Sequence, residues 1–169
     1  MKQSIYIAFL AGLVSCSAAA ENGSERAESQ SRDASAAFVA TQHFVVGRIG
    51  RDCLEELGRS ETPLQYIEKW QRDNDKYYAA TTQYMAARLS EISDPEERDA
   101  VESAYYASAR QRGEAAVNQI FSKGPKNEVC KYAVTLVDAG SMNIEEFGNA
   151  TKQPIMRDLA ELVEWAKTR

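Results

Sequence analysis

Cys53 and Cys130 are the residues best placed to do chemistry, and that chemistry is oxidation to a disulfide. The chain has three cysteines in 169 residues. Once Cys16 is assigned to an N-terminal leader, an even pair remains. The rest of the reactive inventory is short. His43 is the single histidine, so no histidine-rich zinc site can be assembled, and a lone mid-helix histidine is more commonly a surface or core-edge residue than a catalyst. Carboxylates pair at Glu55 and Glu56, Glu96 and Glu97, and Glu145 and Glu146. Each pair falls on a helix surface or helix start, where solvation or capping accounts for it. There is no glycine-rich phosphate loop and no serine nucleophile elbow. The expectation is a protein without catalytic residues, metal or cofactor; an enzyme of unfamiliar design is the outside alternative.

Whether two cysteines pair depends on compartment, and the N-terminus bears on that. In MKQSIYIAFLAGLVSCSAAA one lysine precedes an apolar run from Ile5 to Val14, and small residues follow. This is the layout of a bacterial export signal. The run is too short to span a bilayer, which takes about 20 apolar residues. Ala18, Ala19 and Ala20 fit ordinary signal peptidase, with cleavage between residues 20 and 21. Leu13-Val14-Ser15-Cys16 resembles a bacterial lipoprotein box. That resemblance implies cleavage between residues 15 and 16, a lipid on Cys16, and outer-membrane retention through Ser17. Residues 1–20 are therefore read as the signal, and 21–34, small and polar, as a flexible tether. A eukaryotic secreted chain is a third option, in which Asn22-Gly23-Ser24 and Asn149-Ala150-Thr151 become glycosylation acceptors. The bacterial reading places the chain in the periplasm, soluble or anchored in the outer membrane by lipid.

The remaining residues, 35–169, are enough for one domain with its own core. The net charge is −5 at pH 7, and no basic cluster stands out. Nucleic acid is excluded as a partner, and contact with a membrane is limited to the lipid anchor.

Hydrophobic periodicity reads this domain as almost wholly helical. A first helix covers about 35–57, ended by Gly58 as a left-handed cap. Thr62-Pro63-Leu64-Gln65 is a capping box with proline at the first helical position. It opens a second helix expected to run unbroken to Ile92. Asp94-Pro95-Glu96-Glu97 opens a third, to about Lys123, with Val101, Tyr105, Ser108, Arg112, Ala116, Ile120 and Phe121 on its inner stripe. Gly124-Pro125 stops it. A fourth helix spans about 127–139 and is broken by Gly140. Asn143-Ile144-Glu145-Glu146 can cap a short turn, and Pro154 begins an amphipathic final helix.

Short connections make sequential helices antiparallel neighbours. The fold expected is an all-α, antiparallel up-down bundle of four main helices plus a C-terminal helix. Reflecting positions across the three turns sets Cys53, Ile67, Ile120 and Cys130 at one height. A disulfide needs Cα atoms within about 7 Å, so helical spacing brings the two sulfurs together independently of the compartment. The bond closes the bundle.

Two further features exceed a plain bundle. Asn74 and Arg112 fall on or near the apolar stripes of facing helices at similar height. An unpaired buried polar group is costly, so they are expected either to form a polar layer or to border a groove. The second feature is aromatic density: Trp70, with Tyr66, Tyr77, Tyr78, Tyr84, Tyr105, Tyr106 and Tyr132. Adjacent residues diverge by about 100° around a helix, so Tyr77 with Tyr78, and Tyr105 with Tyr106, cannot all face one core. The candidate binding set is Trp70, Asn74, Tyr77, Tyr78, Tyr106 and Arg112. Exposed tyrosine and tryptophan favour protein interfaces. The expected function is binding of another envelope or secreted protein, as an inhibitor, an immunity-type protein or an accessory subunit. A structural or chaperone-like envelope lipoprotein is the alternative.

Overall fold

The computed structural model describes the backbone over residues 21–150 and 155–169 and side chains over 28–147 and 155–169. Cys16, both cleavage points and Pro154 lie outside the described residues. Among these residues there are seven helices and no strand: α1 (Glu21–Cys53), α2 (Pro63–Asp73), α3 (Asp75–Ser90), α4 (Pro95–Phe121), α5 (Lys126–Asp138), α6 (Ile144–Ala150) and α7 (Ile155–Lys167).

Local signals set most of the boundaries. The Thr62 hydroxyl accepts from Gln65 N, and Gln65 Oε1 accepts from Thr62 N at 2.9 Å, so two orphan donors are satisfied reciprocally. Asp94 Oδ1 accepts from Glu96 N at the start of α4. Gly58 and Gly140 both have positive φ, 65° and 74°, where a side chain would be strained. They follow α1 and α5.

The long amphipathic rod expected between Thr62 and Ile92 is two helices. Asn74 breaks it, with φ −122° and ψ 25°. Its Nδ2 donates to Trp70 O at 2.7 Å and to Asn143 Oδ1 at 3.2 Å, and its Oδ1 accepts from Ile144 N at 2.7 Å. An asparagine amide competes with the helix ladder for backbone partners. Here it wins because the far end of the chain supplies two of the three partners. Asn74 is thereby an N-terminal cap in trans for α6. Trp70 secures the same junction, its Nε1 donating to Met142 O at 3.0 Å.

The region 21–34, expected as a tether, is helical and continuous with α1. It packs along the part where side chains are described. Tyr84 Oη donates to Asp33 Oδ1 at 2.7 Å, and Arg32 lies over the Trp165 ring. Just beyond it Ser35 and Ala36, both fully buried, let α3 and α7 approach α1.

α1 is the axis of the molecule, packed against α2, α3, α4, α5 and α7. Val39, Val46, Ile49 and Cys53 of α1 meet Trp70, Val117, Cys130, Ile144 and Leu159 in the main core. Burying an aliphatic side chain such as Ile49 contributes about 1.5–3 kcal/mol. A smaller cluster joins Ala36, Ala80, Tyr84 and Leu162, with Trp165 packed against it.

α4 meets α1 through Ala109, Gly113 and Val117, all buried. Ser108 and Arg112, expected on its inner stripe, are exposed. Val101 is exposed as well, while Tyr105, Ala116, Ile120 and Phe121 keep their expected place against the core, so the stripe is shifted only in part. Small residues carry little hydrophobic signal but allow close approach: a Cβ on Gly113 would overlap Phe44 Cδ1 and stand 3.1 Å from Cγ.

The Cys53–Cys130 disulfide is formed, with Cα atoms 5.1 Å apart across a sequence separation of 77. Both residues are fully buried. The bond ties the end of α1 to the first turns of α5.

Candidate functional site

The predicted binding residues do not gather in one place. Trp70, Asn74 and Tyr77 are buried structural residues, and the first two hold the α2–α3–α6 junction. Arg112 faces solvent on α4, so the expected Asn74–Arg112 polar layer does not form. Asn143 and Ile144 take the place given to Arg112. Tyr78 and Tyr106 remain. They are 36% and 60% exposed, so the expected outward turn of these rings is real. α7 covers a different tyrosine: Trp165 stands edge-on to Tyr84 with centroids 5.3 Å apart.

Tyr78 and Tyr106 flank a cleft of about 290 Å³ between α3 and α4, with α1 as its floor. Val39 and Ala40 rise from α1, Met85 and Leu89 from α3, and Tyr105 and Tyr106 from α4. Polar groups are few: His43, Thr81, Thr82 and Glu102. The cleft exists because α1 separates α3 from α4, which touch one another only sparsely.

The aromatic rings are held in place. Tyr105 Oη donates to Ala36 O at 2.8 Å, and its ring is edge-on to Tyr106 at 5.3 Å. Burial raises the Tyr105 phenol well above its ordinary value, so it remains neutral. His43 sits 5.5 Å from Tyr78 and 6.2 Å from Trp70, ring centre to ring centre. Its Nε2 is 2.8 Å from Gln71 Nε2. A carboxamide nitrogen only donates, so with this amide orientation His43 Nε2 accepts and its proton lies on Nδ1. Burial lowers the imidazole pKa from its ordinary 6.5. At neutral pH the ring is uncharged.

A shallower groove of about 460 Å³ adjoins on the other side of His43, lined by Phe44, Gly47, Pro63, Leu64 and Ile67 with Arg48 and Arg51 at its edge. Leu64 is 65% exposed there. A wide polar hollow beside Cys53 carries an ion cluster. Arg48 and Arg51 both bond the Asp52 carboxylate, and Lys126 pairs with Glu56. Partial burial raises the Asp52 pKa, but the two arginines outweigh it and hold the carboxyl below its ordinary value.

The paired carboxylates expected on helix surfaces are all exposed and occupy three separate regions. Lys76 takes one of them, Glu145, at 2.6 Å. Among the described residues no group of three or more His, Cys, Asp or Glu side chains is placed to hold a metal ion, and no helix is long and apolar enough to cross a membrane.

Sequence reasoning missed Thr81, Met85, Leu89, Glu102 and Tyr105 as cleft residues. The doublets Tyr77-Tyr78 and Tyr105-Tyr106 were the signal, because one ring of each must leave the core. No protein family, curated protein or solved structure matches this chain.

Proposed function

We propose that this chain is an exported protein of the bacterial envelope, periplasmic or lipid-anchored through Cys16, that acts by binding another protein. The observation that carries this reading is the pair of exposed tyrosines, Tyr78 and Tyr106, on either side of an apolar cleft. Large amphipathic rings around a desolvated pocket are the usual anchors of a protein interface. We read the scaffold as an up-down helical bundle, with α4 and the α2–α3 pair alternating in direction around α1 and the disulfide fixing its closed end. An oxidised staple suits the periplasm, and the N-terminal signal layout supports the same address.

The test is affinity capture from envelope extract with the full chain as bait. Retention of one protein by the wild type, and its loss with Tyr78→Ala/Tyr106→Ala at an unchanged melting temperature, supports the reading. Equal retention by the double variant, or no retained protein under gentle conditions, overturns it. An inhibitor or immunity-type role adds that the captured protein is a toxin or enzyme whose activity falls on binding. A second reading, a chaperone-like envelope lipoprotein, draws on the open groove beside Leu64. It requires suppression of aggregation of an unfolded client, lost with Leu64→Asp.

A further inference from the structure

We propose that the partner docks by inserting an arginine side chain into the α3–α4 cleft, with its guanidinium held between the tyrosine rings and Glu102. This rests on the protein-binding reading above and names the chemistry of the anchor.

The first support is electrostatic. Only two side chains lining the cleft can carry charge at neutral pH, Glu102 and His43. Burial keeps His43 neutral, so the cleft is singly negative. Glu102 is half-buried, and among the described residues no hydrogen bond or ion pair occupies its carboxylate. Arg112 lies about two helical turns from Tyr105 along α4, faces solvent and does not line the cleft. Arg98, one turn before Glu102 on α4, forms no ion pair with it, so the half-buried carboxylate stands open to an incoming cation.

The second support is the wall. Tyr78, Tyr105 and Tyr106 line the cleft, and cations are attracted to aromatic rings. A guanidinium is planar and weakly hydrated, so it stacks on aromatic rings better than an ammonium does. Val39, Met85 and Leu89 provide apolar surface for the three-carbon stem.

The third support is size and charge. At about 290 Å³ the cleft is at the lower end of ligand pockets, room for one long side chain rather than a cofactor. The whole chain carries −5, which steers a basic partner toward it.

The test uses the full chain and two probes of one shape, n-butylguanidinium and the neutral n-butylurea. Tyrosine ring resonances report binding. The guanidinium should bind at least about tenfold more tightly than the urea. Glu102→Gln should sharply reduce that preference, leaving only the part due to the rings, with the melting temperature unchanged. Equal affinity for the two probes, or no shift of the rings by about 50 mM of either, overturns the inference. Capture separates this inference from the broader reading. A partner lost with Tyr78→Ala/Tyr106→Ala but retained by Glu102→Gln refutes the arginine anchor and keeps protein binding. A cation preference in a chain that retains no protein supports the recognition chemistry and removes the protein-binding reading.

Discussion

Removing the disulfide should cost this protein a large share of its stability, and the size of the loss follows from connectivity. The cysteines are 77 residues apart in sequence. Closing a loop of that length removes entropy from the denatured chain equivalent to about 4.5 kcal/mol at 25 °C. A domain of this size loses about 2–4 °C of melting temperature per kcal/mol, so the expected fall is about 9–18 °C. The cleanest perturbation is Cys53→Ala/Cys130→Ala. Both positions are fully buried, and serine there would add the separate cost of two desolvated hydroxyls. Thermal melting followed by circular dichroism reads the shift. A urea titration checks its origin, because a freed denatured chain exposes more surface and steepens the slope. A loss below about 1 kcal/mol in both measurements would refute the loop-entropy reasoning and mean that the denatured chain is restrained elsewhere.

Four further outcomes are expected. Gly113→Ala should destabilise by about 1 kcal/mol, the overlap with Phe44 outweighing the gain in helix propensity; Phe44→Ala in the same chain should remove the penalty, and urea unfolding of the double-mutant cycle checks the coupling. Asn74→Ala should cost about 2–3 kcal/mol, since it strands the Ile144 N–H, and hydrogen exchange should show α6 released first. Arg112→Ala should change stability by less than about 0.5 kcal/mol by denaturant titration, because the guanidinium faces water. The folded imidazole of His43 titrates below its unfolded value of 6.5, so its contribution is complete above that pH and is lost as pH falls through the lowered folded value. His43→Gln should flatten the acid side of the stability profile over that window.

How far the sequence discloses this molecule depends on whether the cause is local. Thr62, Pro63 and Gln65 act within one turn, Gly58 and Gly140 act through their own φ, and all were legible. The cysteine pairing was legible too, because helix spacing points to it and so does the expected export. The break at Asn74 was not, since two of its three partners lie about seventy residues away and the apolar period continues through it. The inner face of α4 escaped for a different reason. Ala109 and Gly113 contribute almost nothing to a hydrophobic pattern, yet closeness of the backbones is what they supply. Arg32 and Asp33 lie in a stretch that resembles a linker by composition, yet they meet Trp165 and Tyr84. For the site, the tyrosine doublets announced that some rings must turn outward, but which cleft they border depends on three helices meeting.

That five other helices lean on α1 has a temporal side. The segment they all require is the earliest of them to leave the ribosome, and its final sulfur partner, Cys130, follows 77 residues later. Until then the face of α1 that the later helices cover has no partner, and Cys53 has no Cys130 to pair with.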